Sequence, residues 1–226
     1  MRSAILKDPI APFLFALAAC VSIFDPGGAV AQEISVPGIE ALPMPGSLRV
    51  FASNAVGVPV DVSGRIGAAG SGQSWDFTEG PTSASYEYLF EDVSGDETFQ
   101  SNYLSPQTSE RTVINGAFDQ SELRLLRFTP GAGVENVGFY SPVTNPSKPY
   151  ASFNAPLLES AEHLEIGVGW ETTTTFDSAI DAAGTLVPTS NTLNQTGLVD
   201  ASGTVSLPGL WDVEVVRIHK LLQWRT

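Results

Sequence analysis

Catalysis or metal binding needs nitrogen, sulfur or oxygen groups gathered at one point, and this chain is short of nitrogen. Its histidines are His163 and His219. His163 lies in Glu159-Ser160-Ala161-Glu162-His163-Leu164-Glu165, a Glu-x-x-x-His-x-Glu pattern. Imidazole and carboxylate both ligate zinc, but a catalytic zinc site takes more nitrogen than this segment holds, and only His219 is left to supply it. A solvated acidic loop explains the segment more simply. Serine is abundant, yet no G-x-S-x-G elbow occurs, although a triad assembled by the fold need not show in sequence. Glycoside hydrolysis needs two carboxylates at a fixed separation, a condition some pair meets in any chain with 25 acidic residues.

Oxygen ligands and aromatic rings offer more. Asp92-Val93-Ser94-Gly95-Asp96-Glu97 places Asp92, Asp96 and Glu97 close together, a set compatible with Ca²⁺, which takes oxygen ligands. The spacing is not that of an EF-hand loop, and an Asp/Gly turn accounts for the run more economically. No other cofactor is indicated. Of the tryptophans, Trp75 and Trp170 are expected in the core. Trp211 and Trp224 are the candidates for ligand binding, because an exposed indole on a β-surface can stack on a sugar ring.

The single cysteine, Cys20, belongs to a different chemistry. Arg2 and Lys7 precede an apolar stretch from Ile10 to Phe24, which is followed by Asp25-Pro26-Gly27-Gly28 and Ala29-Val30-Ala31. About fifteen apolar residues are too few for a transmembrane helix, which needs ~20. A basic start, an apolar run, a breaker and A-x-A together form a secretion signal, with cleavage after Ala31. Leu17-Ala18-Ala19-Cys20 also matches a lipobox, so lipidation of Cys20 is the alternative exit. The chain therefore divides into a leader at 1–31, a Pro/Gly-rich extended lead-in at 32–47 and one β domain at 48–226. The expected location is extracellular or periplasmic, with membrane attachment only through Cys20.

Loss of the leader removes Arg2 and Lys7 against Asp8 and Asp25, so the net charge of −14 persists. Such a chain repels nucleic acid and anionic membrane, because phosphate binding needs clustered Lys and Arg. With Cys20 gone no disulfide can form, and stability must come from packing.

The elements that position these groups read as strands. Thr, Val, Phe and Tyr recur in short alternating runs, and no long helical stripe follows the leader. Leu48–Ala52 and Gly57–Val62 are the first strand candidates, and Gly67–Gly72 reads as a small-residue loop. In Ser85–Glu91, Tyr86, Tyr88 and Phe90 share a face. Leu123–Phe128 and Val134–Tyr140 flank Thr129-Pro130-Gly131-Ala132-Gly133, a hairpin pattern. Leu157–Ile166 reads as a loop or a turn of helix. Trp170, Thr172, Thr174 and Phe176 occupy one side of a Thr-rich strand. Thr204–Leu207, Pro208-Gly209 and Trp211–Trp224 form a second hairpin, whose apolar side switches near Val215-Val216, where a bulge or a change of burial is expected. Asp-x-(Ser/Ala)-Gly recurs at Asp61, Asp92, Asp181 and Asp200 and reads as turn chemistry at strand ends. Roughly ten to twelve strands at short intervals predict an all-β fold, an antiparallel β-sandwich or an open or half barrel.

Gly70-Ser71-Gly72-Gln73-Ser74-Trp75-Asp76-Phe77 resembles the G-x-G-Q-x-W-D-F opening of a loose group of secreted, uncharacterised bacterial β-rich domains. Gly203-Thr204-Val205-Ser206-Leu207-Pro208-Gly209 with Val215-Val216-Arg217 is similar to that group's late hairpin, and Gly167-Val168-Gly169-Trp170 to the start of its Trp strand. Leu210-Trp211 departs from the pattern, which has a short Gly/Thr turn there. The resemblance implies a secreted β domain; the group has no assigned reaction, so no catalytic residue carries over from it. The function expected is non-enzymatic binding of a glycan, matrix or protein partner outside the cell. The alternatives are a carrier of lipid or another apolar ligand on a curved sheet, and a hydrolase without a recognisable motif.

Overall fold

Period-two alternation becomes strand structure in a computed structural model that describes residues 17–19, 34–37, 44–53, 66–79, 84–114, 117–142, 149–182 and 185–226. In chain order the elements are β1 (Leu17–Ala19), β2 (Val36–Pro37), β3 (Leu48–Ser53), β4 (Gly70–Asp76), β5 (Ala84–Asp92), helix α1 (Glu97–Asn102), β6 (Thr108–Ile114), β7 (Ala117–Thr129), β8 (Gly133–Tyr140), β9 (Tyr150–Ala161), β10 (His163–Leu164), β11 (Gly169–Ala182), β12 (Thr185–Leu207) and β13 (Leu210–Arg225). The protein is an all-β sandwich of open sheets, not a closed barrel. One sheet is the antiparallel series β3-β5-β6-β7-β8-β9. The other runs β1-β13-β12-β11, and β4 pairs in parallel with the second half of β12. β1 lies antiparallel to Val215–Arg217, and β2 pairs with β10.

Turn chemistry explains both expected hairpins. Between β7 and β8, the Ala132 amide donates to the Thr129 carbonyl at 3.0 Å, with Pro130 next and Gly131 at φ +84°. Pro followed by a residue with positive φ is the type II pattern. Between β12 and β13, Pro208 and Gly209 (φ +77°) repeat it. A type II turn matches the twist of paired strands poorly. Here the register slips between Val205 and Leu207, and Asp212 adopts φ +50°, so an extra residue in β13 re-aligns the strands.

β13 changes its buried side as expected. Val213 and Val215 pack with Trp75, Ala201 and Val205, whereas Val216 and Ile218 pack with Leu164 and Val199. The cause is a register shift in β12 between Val199 and Ala201, opposite Arg217 and Ile218. Between the sheets, Phe139, Phe153 and Phe176 meet with centroids 5.0 to 5.9 Å apart, joined by Leu157 and Leu193.

Some expectations are overturned. Leu157–Ala161 is not a loop or helical turn but the end of β9, where Leu157 (2% exposed) enters the core. Gly70–Gly72 belong to β4 rather than to a loop. Asp200–Gly203 is no strand end: it lies within β12, and Asp200 occupies the bulge. At Gly203 a Cβ would fall 1.9 Å from the Gln73 carbonyl, so glycine there is required for β4 to approach. The leader residues Arg2, Lys7, Cys20 and Ala31, and the segments Gly57–Val62 and Asp61–Gly64, lie outside the described residues.

Candidate functional site

The threonine run of β11 divides its work by face. Thr172 and Thr174 point inward and accept hydrogen bonds from the backbone amides of Leu158 (3.1 Å) and Ala155 (3.3 Å). The Leu158 carbonyl in turn accepts from the Trp170 indole (2.8 Å) and the Gln195 amide (2.5 Å). Side chains of one sheet thus satisfy the outer edge of β9 in the other, which would otherwise carry unpaired backbone groups. Trp170 covers its cross-strand partner Gly197, where a Cβ would fall 2.2 Å from the indole.

Thr173 and Thr175 point the other way, onto an exposed face. Register places Thr173 beside Asn194, and Asn194 beside Gln223. The next row is Thr175, Thr192 and Arg225. Thr173, Thr192, Asn194, Gln223 and Arg225 line a shallow depression of about 160 Å³. Each row spans three strands, about 10 Å. The Thr173 hydroxyl donates to Asn194 Oδ1 at 3.2 Å, and Asn194 Nδ2 reaches Glu171 Oε1 at 3.5 Å, which orients the amide. Thr175 accepts from Asn154 Nδ2 at 2.7 Å. Hydroxyls, carboxamides and a guanidinium on a flat surface form a hydrogen-bonding array, and no buried base or nucleophile stands among them. Sequence reasoning noted the Thr run but missed this site, because only strand register brings Asn194, Gln223 and Arg225 to it.

The tryptophan candidates do not form one site. Trp211 is 65% exposed beside the Pro208-Gly209 turn, and Trp224 is 55% exposed near the other end of β13. They stand about 40 Å apart along the strand. Trp224 Nε1 donates to Asn191 Oδ1 at 3.0 Å, and the ring stacks on Phe139 and meets Phe176 edge-on, closing one end of the inter-sheet core. Trp75 is buried as expected, and Trp170 is half-buried against the core.

The carboxylates proposed for calcium serve separate local roles. Asp92 Oδ1 accepts from the Ser94 hydroxyl (2.7 Å) and amide (2.8 Å), which holds its carboxyl below the ordinary range. Asp96 caps α1 by accepting from the amides of Thr98 and Phe99, and Glu97 occupies the first turn of that helix. Among the described residues no three His, Cys, Asp or Glu side chains converge. His163 is exposed with Glu162 at 3.9 Å, and His219 is exposed on β13 across from Leu198.

The motif residues meet in space. β4 pairs along Gly203–Ser206, which sets Trp75 beside Val205. Arg217, 8% exposed, forms a fork with Asp200 (2.8 and 2.9 Å), stands 5.7 Å over the Trp75 ring and donates to the carbonyls of Ile66 and Ala68. Trp75 Nε1 donates to the same Ile66 carbonyl. This node ties the 66–70 segment to the sheet and leaves its charges paired, so its role is structural.

A second ionic group bridges the sheets. Glu159 on β9 contacts Arg124 on β7 and Lys220 on β13, the latter at 2.9 Å, and Arg124 also binds Glu110 at 2.9 Å. Burial pushes the Glu159 carboxyl upward, but Arg124 and Lys220 more than reverse this and lower it to about 2. Arg124 is itself raised: burial opposes its charge, and Glu110 and Glu159 outweigh that.

Among the described residues no helix is long and apolar enough to cross a membrane. Comparison with family models, with curated proteins and with solved structures finds no match to this chain.

Proposed function

We propose that the chain is an exported, non-enzymatic β domain that binds an extracellular partner, with a glycan favoured over a protein, through the outer face of β11, β12 and β13. The observation that carries this reading is the depression lined by Thr173, Thr192, Asn194, Gln223 and Arg225. Carboxamides and hydroxyls fixed at strand spacing suit the vicinal hydroxyls of a sugar. The aromatic packing of Phe139, Phe153 and Phe176 where the sheets meet favours a binding face over an apolar carrier. His163 and His219 are both exposed, and neither makes a hydrogen bond to a serine hydroxyl among the described residues, so no specific observation favours the hydrolase reading. Export rests on the leader, and intact mass distinguishes an N-terminus at Gln32 from a diacylglycerol adduct on Cys20.

The test is a glycan array with the wild-type protein and with an Asn194→Ala/Gln223→Ala double variant. The expected result is binding to a subset of glycans that the double variant loses while its melting temperature is retained. Absence of any glycan binding, or binding indifferent to the double substitution, refutes the assignment to this face.

A further inference from the structure

In a chain with 11 basic against 25 acidic residues, cations are scarce, and nearly all whose side chains are described are committed. Arg111, Arg124, Arg127, Arg217 and Lys220 each form ion pairs. Among the described basic side chains, Arg225 alone stands outside an ion pair. It is exposed, and it lines the depression on the outer face. Its row neighbour is Thr192, and the adjacent row holds Asn194 and Gln223. The acids of this face, Glu171 and Asp177, are on β11, the far strand of the three, where Asn194 and Ser190 already donate to them. The face is thus polarised: acidic along β11, with a free planar cation at the end of β13.

We infer that the depression binds a saccharide residue carrying a single carboxylate, such as a terminal uronate, with Arg225 on the carboxylate and Asn194, Gln223 and Thr192 on the ring hydroxyls. This rests on the glycan reading of the same face. A guanidinium matches a carboxylate with two parallel hydrogen bonds, a fit an ammonium cannot reproduce. The net charge of −14 sets the limit on ligand charge: a polyanion is repelled by the molecule as a whole, whereas one carboxylate beside one arginine is not.

The experiment titrates the full chain with methyl glucuronoside, its methyl ester and methyl glucoside, and repeats this with Arg225→Gln, Arg225→Lys and Asn194→Ala. Arg225 is exposed, so its substitution should leave the circular dichroism spectrum and melting temperature unchanged. Expected are binding of the glucuronoside, weakening of about tenfold or more for the ester and for Arg225→Gln, and only partial rescue by Arg225→Lys. Equal binding of glucoside and glucuronoside, insensitive to Arg225→Gln but lost in Asn194→Ala, overturns the acidic class and leaves the glycan reading standing. Binding of none of the three sugars overturns the uronate assignment, and together with absence of binding on the glycan array it overturns both.

Discussion

Replacing Glu159 by Gln removes one negative charge from the group that joins the two sheets. Glu159 receives Arg124 from β7 and Lys220 from β13 (2.9 Å), and its carboxyl is lowered from 4.5 to about 2. A carboxylate that ionises more readily when folded stabilises the fold while it is charged. The gap between those values corresponds to about 3 kcal/mol at neutral pH. The sign follows from proton uptake: as pH falls, the unfolded chain binds this proton near 4.5, whereas the folded chain resists until about 2. The contribution is therefore complete above the unfolded value and is lost as pH falls through the folded one. Urea denaturation followed by tryptophan fluorescence at pH 7, 4 and 2.5 measures it. Glu159→Gln should be less stable by about 3 kcal/mol at pH 7, or roughly 6–12 °C in Tm, and should approach the wild type as pH falls. Comparing the two proteins at each pH cancels whatever is common to both and leaves the contribution of the Glu159 cluster. A deficit below about 1 kcal/mol at pH 7, or one that stays constant across the pH range, would refute the reasoning.

Arg217→Ala should cost about 3–5 kcal/mol, because it leaves Asp200 without its buried fork partner and uncovers Trp75; chemical denaturation checks this, and an Asp200→Ala cycle should show coupling between the two. Trp211→Ala should change stability by less than about 0.5 kcal/mol at its exposed position, whereas Trp75→Ala should cost about 3–5 kcal/mol, both read from denaturation midpoints. Gly197→Ala should lower stability by about 1–3 kcal/mol, because the new methyl meets the Trp170 indole; a companion Trp170→Ala background should remove most of the penalty.

Local chemistry made the hairpins legible. Pro130-Gly131 and Pro208-Gly209 specify chain reversal through fixed and positive φ, and alternation placed Thr174 and Phe176 on the buried face of β11. What remained hidden depended on distant partners. Asp200-Ala201-Ser202-Gly203 carries turn residues, yet Asp200 meets Arg217 across the ladder and Gly203 makes room for Gln73, so the strand continues through them. Glu159 looked like part of a solvated acidic loop because its cations, Arg124 and Lys220, are remote in sequence. The proposed binding face was hidden for the same reason: Thr173, Asn194 and Gln223 become neighbours only once two antiparallel registers are fixed.

The residues that stand out in the sequence and those that line the outer depression are different sets. Trp75, Asp200, Gly203 and Arg217 are distinctive because each has a partner that few substitutes could satisfy: a guanidinium over a ring, a bidentate carboxylate, a backbone at 1.9 Å from a potential Cβ. Such constraints preserve the scaffold. Thr173, Thr192, Asn194 and Gln223 are ordinary surface residues held by register rather than packing, so they can change without cost to the core. On the proposed reading, two chains could share the Trp75 node and bind unrelated ligands, with the outer rows of β11, β12 and β13 deciding which. Grafting a different set of side chains onto those rows should alter binding while leaving the urea midpoint within the range expected for surface substitutions. A large loss of stability would mean that the face belongs to the scaffold after all.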